Sequence, residues 1–571
     1  MIKKITKLIL WLIILLIFGI FYLSYFGIKT TKFNELIKSE VLKVSNKINI
    51  ELDEVKILLN LKDYTISLKT KNPNLIIKNK KIELENIITN FSIGSFLNKE
   101  FAIKKLSVST KKNKISDMIN IARIYQNSPQ MFVIDKVVKN GDIIANIDLN
   151  FNENGKITKE YKIKGTVRNA NLRLFNKQEI NEINFDFEIK DKLYLLKKTK
   201  LKYEKIKFSS KSINIKNLKK NYLVEGDFIS EEVNLKNELL SIYLKKTIDE
   251  LNFRDIRFSS TNNFSFKVNK KFKLLNKKIN SKIKLIKLVY KSKNLELNKY
   301  LPKYNGSIEF SNNNIDLLFE NKKLTINSKG KFIIDETIDE IDLKIVLKNE
   351  DYNIKSLIKL NNNPVVVDFL RYKKNENKNS LLNIEALIKK NKGVIIKNLI
   401  FNESDSKLLF KNLILDHNFK INYFNSLEFD FINTNKIKNK ISIQRNNKNY
   451  SITGPIFDGS FIIDEMLKSK KNDDNISKIF ANFNSSITLD IKKTYIDKDS
   501  FLNNLNGKLI FINNDLKNLN LISNFSDNEK FNLTMKTNDS GEKVTTFFSG
   551  YAKPFVKKYK FIKGFEEGSL D

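Results

Sequence analysis

The chain has 571 residues and a formal net charge of +38, with 17 glycines, 6 prolines, one histidine and no cysteine. Without cysteine, disulfides, thiolate zinc sites and cysteine nucleophiles are excluded. The positive charge is almost all lysine. Arginine, the bidentate reader of bases, stands only at Arg123, Arg168, Arg173, Arg254, Arg257, Arg371 and Arg445, and there is no helix-turn-helix or zinc-finger spacing, so nucleic acid is not expected as a partner. The lysines read instead as solvated residues on outward strand faces.

Residues 8–28 form an apolar run without a charge, about 30 Å long as a helix, which matches the hydrocarbon thickness of a bilayer. No A-x-A-like cleavage site follows, and the first alanine is Ala102, so the run reads as an uncleaved anchor. Lys3, Lys4 and Lys7 precede it, which favours a cytoplasmic N-terminus and a translocated remainder. Phe33, Leu36, Ile37, Val41, Val44 and Ile48 then recur at helical spacing and predict an amphipathic helix over 30–48.

Beyond this point the period changes to two. Ile66 and Leu68 alternate with polar residues, and turns are expected at 71–74 and 78–81. A short helix is expected over 116–125, with strands resuming at Phe132. The alternation is clearest at Ile183, Phe185, Phe187 and Ile189, at Ile341, Leu343, Ile345 and Leu347, and at Ile487 and Leu489, each set interleaved mostly with charged or polar residues. These are strands of sheets wet on one side, about 30 to 45 of them at about 12 residues per strand and turn. Further helices are expected at 232–251 and 476–480. Gly165, Gly226, Gly306, Gly330, Gly459 and Gly507 read as strand openers at bends or bulges, and Asn312–Asn314 and Asn361–Asn363 as hairpin turns.

The vocabulary of catalysis is missing. There is no phosphate loop, dinucleotide fingerprint, nucleophile elbow or H-E-x-x-H string, so no catalytic residue, metal ligand or cofactor is expected and the chain does not read as an enzyme. The pair Asp416-His417 reads as ordinary strand or turn. The string from Asp497 to Phe501 lacks the ligand and glycine that a calcium loop needs. What remains is a long succession of strands with one apolar face each, more contiguous apolar surface than a soluble monomer usually exposes. A second sheet, a solenoid core or lipid could cover it.

The order of segments resembles the AsmA-like family. An anchor and an amphipathic helix are followed by Thr65-Ile-Ser-Leu-Lys-Thr, Asn74-Leu-Ile-Ile, Leu84-Glu-Asn-Ile-Ile and Phe101-Ala-Ile-Lys-Lys-Leu-Ser-Val. The middle is similar to the YhdP branch, in Lys164-Gly-Thr-Val-Arg-Asn-Ala-Asn-Leu, Val224-Glu-Gly-Asp-Phe and Ser451-Ile-Thr-Gly-Pro-Ile-Phe-Asp-Gly, and so is the end, in Ser549-Gly-Tyr-Ala-Lys-Pro-Phe and Gly564-Phe-Glu-Glu-Gly-Ser-Leu-Asp. The resemblance implies a mainly β fold: a transmembrane helix, then a long, curved, predominantly antiparallel sheet forming an open hydrophobic groove, with a few short helices. It divides the chain into an anchor (1–28), an amphipathic helix with an N-terminal β module of the AsmA or chorein type (29–110), a groove with a short helix (111–230), its continuation (231–465) and a C-terminal module (466–571). The implied role is a bridge for phospholipid, held in the inner membrane with its bulk in the periplasm. The groove candidates are Ile66, Leu68, Ile183, Phe185, Phe187, Ile189, Ile341, Leu343, Ile345, Leu347, Ile487 and Leu489. Relatives continue past the Gly-x-Leu-Asp turn, so the chain reads as a shortened member, a fragment or half of a split gene; in the last case a separately encoded C-terminal region is an expected partner, beside envelope or outer-membrane proteins. The alternative is an anchored β scaffold for envelope assembly without lipid cargo.

Overall fold

The computed structural model describes residues 2–44, 48–77, 80–98, 103–125, 128–174, 178–204, 206–235, 253–291, 297–389, 393–461, 480–526, 528–538, 540–559 and 568–570. The protein is mainly β with a few short helices, and it divides into two units: Met1–Glu231 with Ser260–Asn280, and Glu232–Ser259 with Ser281–Asp571.

The first unit opens with helix α1 (Ile2–Tyr25), whose stretch Lys3–Tyr25 has a mean hydropathy of 2.6 and no buried residue. It is long and apolar enough to cross a membrane. The apolar run outlasts the helix. The amides of Phe26 and Gly27 both close on the Tyr22 carbonyl, Gly27 takes φ +65°, and Ile28 already starts strand β1 (Ile28–Thr30). A side chain at Gly27 would meet the Ile57 carbonyl at 2.4 Å, so only glycine makes this exit. Helix α2 (Asn34–Val44) lies inside the predicted amphipathic segment.

Next come β2 (Ile48–Glu51), β3 (Glu54–Asn60), β4 (Thr65–Lys71), β5 (Asn74–Ile77), β6 (Lys80–Ser92), α3 (Ile93–Leu97), β7 (Ile103–Thr110), β8 (Asn113–Lys114), α4 (Ile115–Tyr125) and α5 (Pro129–Val137). Helix α4 is where the spacing places it. Helix α5 corrects the expectation of a strand from Phe132: Ser128 caps it by accepting from the Met131 amide, and Pro129 stands in its first turn, where its fixed φ suits a helix start. The strands resume only at β9 (Val138–Asn150), followed by β10 (Lys162–Arg173), β11 (Glu179–Lys190), β12 (Leu193–Tyr203), β13 (Ile206–Asn217) and β14 (Asn221–Leu235). The sheet runs β1-β3-β4-β6-β7-β9-β10-β11-β12-β13-β14, antiparallel throughout, with β2-β5 pairing onto the first residues of β6. Of the helix expected over 232–251, the described residues 232–235 are strand and the rest lies outside the described residues.

Strands β15 (Phe253–Asn269) and β16 (Leu274–Lys291) carry residues of both units. The second unit continues with β17 (Ser307–Glu320), β18 (Lys323–Ile334), β19 (Thr337–Lys348), β20 (Asp351–Lys359), β21 (Val365–Val367), β22 (Tyr372–Lys374), β23 (Ser380–Lys389), β24 (Gly393–Glu403), β25 (Ser406–Leu415), β26 (Ile421–Tyr423), β27 (Ser426–Ile432), β28 (Lys438–Asn446), β29 (Asn449–Asp458), β30 (Ser485–Tyr495), β31 (Phe501–Ile512), β32 (Asp515–Asn524), β33 (Lys530–Thr537), β34 (Lys543–Ser549) and α6 (Lys553–Tyr559). Among the described residues, the neighbours from β17 onward in its main sheet are antiparallel except β29 and β30, which run parallel and so need a crossover. The helix expected at 476–480 lies outside the described residues except Phe480, which bridges to Ile421.

Four tight turns in this unit use two successive left-handed residues, Asn321-Lys322, Asp335-Glu336, Asn349-Glu350 and Asn513-Asn514, the backbone of a type I′ hairpin. The asparagines expected to be turns do other work. Asn312 takes φ +50° inside β17, where the register slips between Ser311 and Asn314, so this stretch is a β-bulge and not a hairpin. Asn361–Asn363 form a bend between β20 and β21. Bulges of the same kind sit at Asn169 in β10, Glu182 in β11 and Asn504 in β31, and the residue after each (Ala170, Ile183, Asn313 and Leu505) is buried. Four of the glycines read as strand openers are mid-strand instead. Gly165 leaves room for the Phe187 ring, which an added Cβ would meet at 2.5 Å, and Gly330 does the same for Asn313 at 2.4 Å. Gly226 and Gly507 lie likewise inside β14 and β31.

Candidate functional site

Paired residues on neighbouring strands share a face, so register shows which side chains line up. In the first unit Leu59 stands opposite Ile66, and the row Leu68, Thr89, Leu106, Leu149 crosses four strands. The adjoining row runs Val108, Ile147, Ile163, Ile189, Tyr194, Ile215 and Val224. Phe187 lies between Gly165 and Leu196, Phe185 opposite Val167, and Ile183 opposite Ala170. All six candidates of this unit therefore fall on one face. Ile183 is buried in a cluster with Val167 and Ala170, while Ile66, Leu68, Phe185, Phe187 and Ile189 are half-buried. Phe208, Phe228, Phe264 and Phe266 extend the face with rings 5.3–6.2 Å apart. The opposite face carries ions: Glu188 is approached by Lys190 (2.9 Å), Lys197 (3.3 Å) and Lys162 (3.6 Å), and Asp186 pairs with Arg168 (2.7 Å). Lys190 and Lys197 hold the Glu188 carboxyl down to about 2.

In the second unit a single row crosses fifteen strands: Ile315, Ser328, Leu343, Ser356, Ile384, Leu399, Phe410, Leu427, Ile443, Ile452, Leu489, Gly507, Leu521, Leu533 and Phe547. At about 4.8 Å per strand this is a path of about 65–70 Å. Leu343 and Leu489, 146 positions apart in sequence, belong to the same row. Ile341, Ile345 and Leu347 flank it, and Ile487 sits between Tyr450 and Leu509. All six are half-buried, whereas Asp342, Lys344 and Lys348 are exposed on the other face, where Lys355 pairs with Glu385 and Lys359 with Glu340, each at 2.7 Å.

Parts of this face are covered by the chain itself, which the sequence reading missed. The β21–β22 hairpin and the turn within it bring Val367, Leu370 and Tyr372 against Phe401, Phe429, Phe431 and Ile441, and the bend at 360–363 sets Leu360 and Val365 with Tyr304, Phe332 and Ile334. A buried polar cluster pins this cover. Asp339 (3 % exposed) accepts from the amides of Asn362 and Asn363 (both 3.0 Å) and from Asn363 Nδ2 (2.8 Å). Lys374 (1 % exposed) donates to the carbonyls of Asn361 (3.0 Å) and Asn363 (2.7 Å), and burial lowers its pKa. Tyr372 donates to Glu403 at 2.6 Å, and burial with that acceptor pushes its hydroxyl far above the usual range. Elsewhere Phe424, Phe480 and Phe483 pack on Leu413, Tyr450 and Phe511, and α6 sets Phe555 against Leu502 and Phe531.

His417 is exposed in the turn after β25, and its neighbour Asp416 accepts from the amides of Asn418 and Lys420. Asp497 is spent in the same way on Asp499 and Ser500. Among the described residues no three His, Asp or Glu side chains gather as a metal site would require. No protein-family description and no curated protein matches the sequence. The described residues thus present two faces: rows that are mostly apolar, interrupted at Thr89, Ser328, Ser356 and Gly507 and covered in part by the chain itself, and behind them ion-paired, water-facing rows.

Proposed function

We propose that the protein is a non-enzymatic, membrane-anchored lipid-transfer protein, with phospholipid acyl chains lying against the apolar rows and headgroups left in water. The observation that carries this reading is the fifteen-strand row of the second unit, whose alternating candidates stay half-buried while the opposite face is charged. A 16-carbon chain exposed to water costs on the order of 12 kcal/mol at about 0.8 kcal/mol per methylene, and a continuous apolar path lowers that barrier without any reaction. The anchor α1, with Lys3, Lys4 and Lys7 in its first two turns, supports a cytoplasmic N-terminus and a periplasmic bulk between the two membranes of an envelope, as the resemblance to AsmA-like proteins implies. Phospholipid is then the cargo, and envelope proteins or a further β chain are the partners that receive it.

Photo-crosslinking in cells tests the reading. A crosslinking residue at Ile345 or Phe187 should capture phospholipid, and one at Lys344 or Glu188 should not, because successive side chains on a strand point to opposite faces. Equal capture from both faces, or none from either, would favour an anchored scaffold whose face is filled by protein. Ile345→Asp should block transfer while the chain stays folded, since the carboxylate meets acyl chain with no hydrogen-bond partner. A reporter fused after Lys220 should be active in the periplasm; activity in the cytoplasm would reverse the topology.

A further inference from the structure

The pairing of β1 with β3 sets Ile28 opposite Ile57 and Thr30 opposite Val55, so the chain just before Ile28 runs beside the last residues of β3. Helix α1 therefore leaves the first unit's sheet at the end where β3 and β6 finish, β4 and β7 begin and β9 finishes. Large side chains are exposed there: Phe26, Leu61 (46 %) and Tyr64 (76 %). With α1 in a bilayer, this end of the sheet meets the lipid headgroups.

A pocket of about 610 Å³, most of whose lining residues are polar or charged, opens at the same end. It lies on the face opposite Ile66, since Thr65, Asn90 and Lys105 alternate with the residues of the apolar row, and Asn90 stands opposite Lys105 in register. Its walls carry both signs of charge, with Lys104 and Lys105 beside Asp63 and Glu153. Lys105 already reaches Asp148 at 3.4 Å, whereas Lys104 is in no ion pair among the described residues. The decisive group is Thr65. It is 2 % exposed, it lines the pocket, and its Oγ1 has no hydrogen-bond partner. A buried hydroxyl left unpaired is costly, and a small opening of the wall that covers it would let a ligand oxygen in the pocket satisfy it.

We infer that this pocket binds the zwitterionic headgroup of a bilayer phospholipid, its phosphate taken by Lys104 and the Thr65 hydroxyl and its ammonium by Asp63 and Glu153. A simple anion fits poorly, because it would meet two carboxylates without a cation of its own. A phosphate diester bearing an amine brings both charges. The site holds the end of the sheet on the membrane surface, and it stands whether or not acyl chains travel along the apolar rows.

The test uses the full chain in a detergent without phosphate and a headgroup without tails, glycerophosphoethanolamine, with binding followed by phosphorus NMR. The wild-type protein should bind it saturably and at least tenfold more tightly than inorganic phosphate or glycerophosphoglycerol. Lys104→Glu should weaken it by tenfold or more, and Asp63→Asn together with Glu153→Gln should abolish the preference over glycerophosphoglycerol. These three side chains are exposed, so the variants should fold. Thr65→Val should lower affinity severalfold while the melting temperature holds or rises, since the hydroxyl it removes has no partner in the protein. Absence of saturable binding to the wild type, equal binding of inorganic phosphate, or affinity unchanged in Lys104→Glu would each overturn the assignment.

Discussion

The two units build the same kind of face and treat it differently. In the first, strands β10 to β14 follow one another through short turns, and the face is covered at one edge by α4, whose Ile115 packs by Val167 and Ile143. The aromatic rings of β13, β14 and β15 otherwise lie against one another on the sheet itself. In the second, β17 to β20 are equally terse, joined by three type I′ turns, but two later connections, β20 to β23 and β29 to β30, are long. The segment between β20 and β23 contributes a hairpin, and the crossover demanded by the parallel pair β29–β30 ends in Phe480 and Phe483. The alternation of apolar and polar residues is thus the same in both; what decides whether a face becomes a core or stays half-open is the length of chain inserted between strands.

The sharpest way to break this comparison is to remove the pin under the second unit's cover. Asp339→Ala leaves three donors unpaired, the two of Asn363 buried, and should cost about 3 kcal/mol. Limited proteolysis should then cut first within 360–374; an unchanged digestion pattern would mean that the cover is held by its apolar contacts alone. The next effect in size is that of Gly165→Ala and Gly330→Ala, which force a methyl group against Phe187 and Asn313 and should each cost about 1–3 kcal/mol in denaturant unfolding. Near-neutral results would show that the strands can slide apart. Ser128→Ala, which removes the cap of α5, should cost about 1 kcal/mol.

The smallest effect concerns the charged face of the first unit. Glu188 is held ionised by Lys190 and Lys197 in the folded chain, with its pKa near 2 against 4.5 unperturbed. Its contribution is in place above about pH 4.5 and is lost as the pH falls from there towards 2. Glu188→Gln should lower stability slightly at pH 8, converge with the wild type near pH 2, and so flatten acid unfolding over that window; an identical acid profile would remove Glu188 from the account.

Much of the plan is legible in the sequence because one face of each strand differs so sharply from the other. The alternation at Ile341 to Leu347 places those residues correctly, and the spacing at Met118 and Ile119 finds α4. What is not legible depends on contacts distant in sequence. Lys374 reads as one lysine among many, and its burial comes from the carbonyls of Asn361 and Asn363 and the packing around them. The bulges escape because their left-handed residues, Asn169, Glu182, Asn312 and Asn504, share no side-chain type beyond a leaning to asparagine. Helix α5 was marked by Ser128-Pro129, a start signal outweighed by the strand-like run Phe132-Val133-Ile134.

The junction at Gly27 has a mechanical consequence. Helix α1 passes into β1 through two residues, and β1 is already hydrogen-bonded to β3, so there is no swivel between span and sheet. A helix too long or too short for its bilayer adjusts by tilting, and here that tilt becomes the lean of the first unit's sheet. One residue inserted into α1 would turn the helix face that meets the sheet by about 100°, so bilayer thickness and helix phase together act as the aiming device of everything that unit carries.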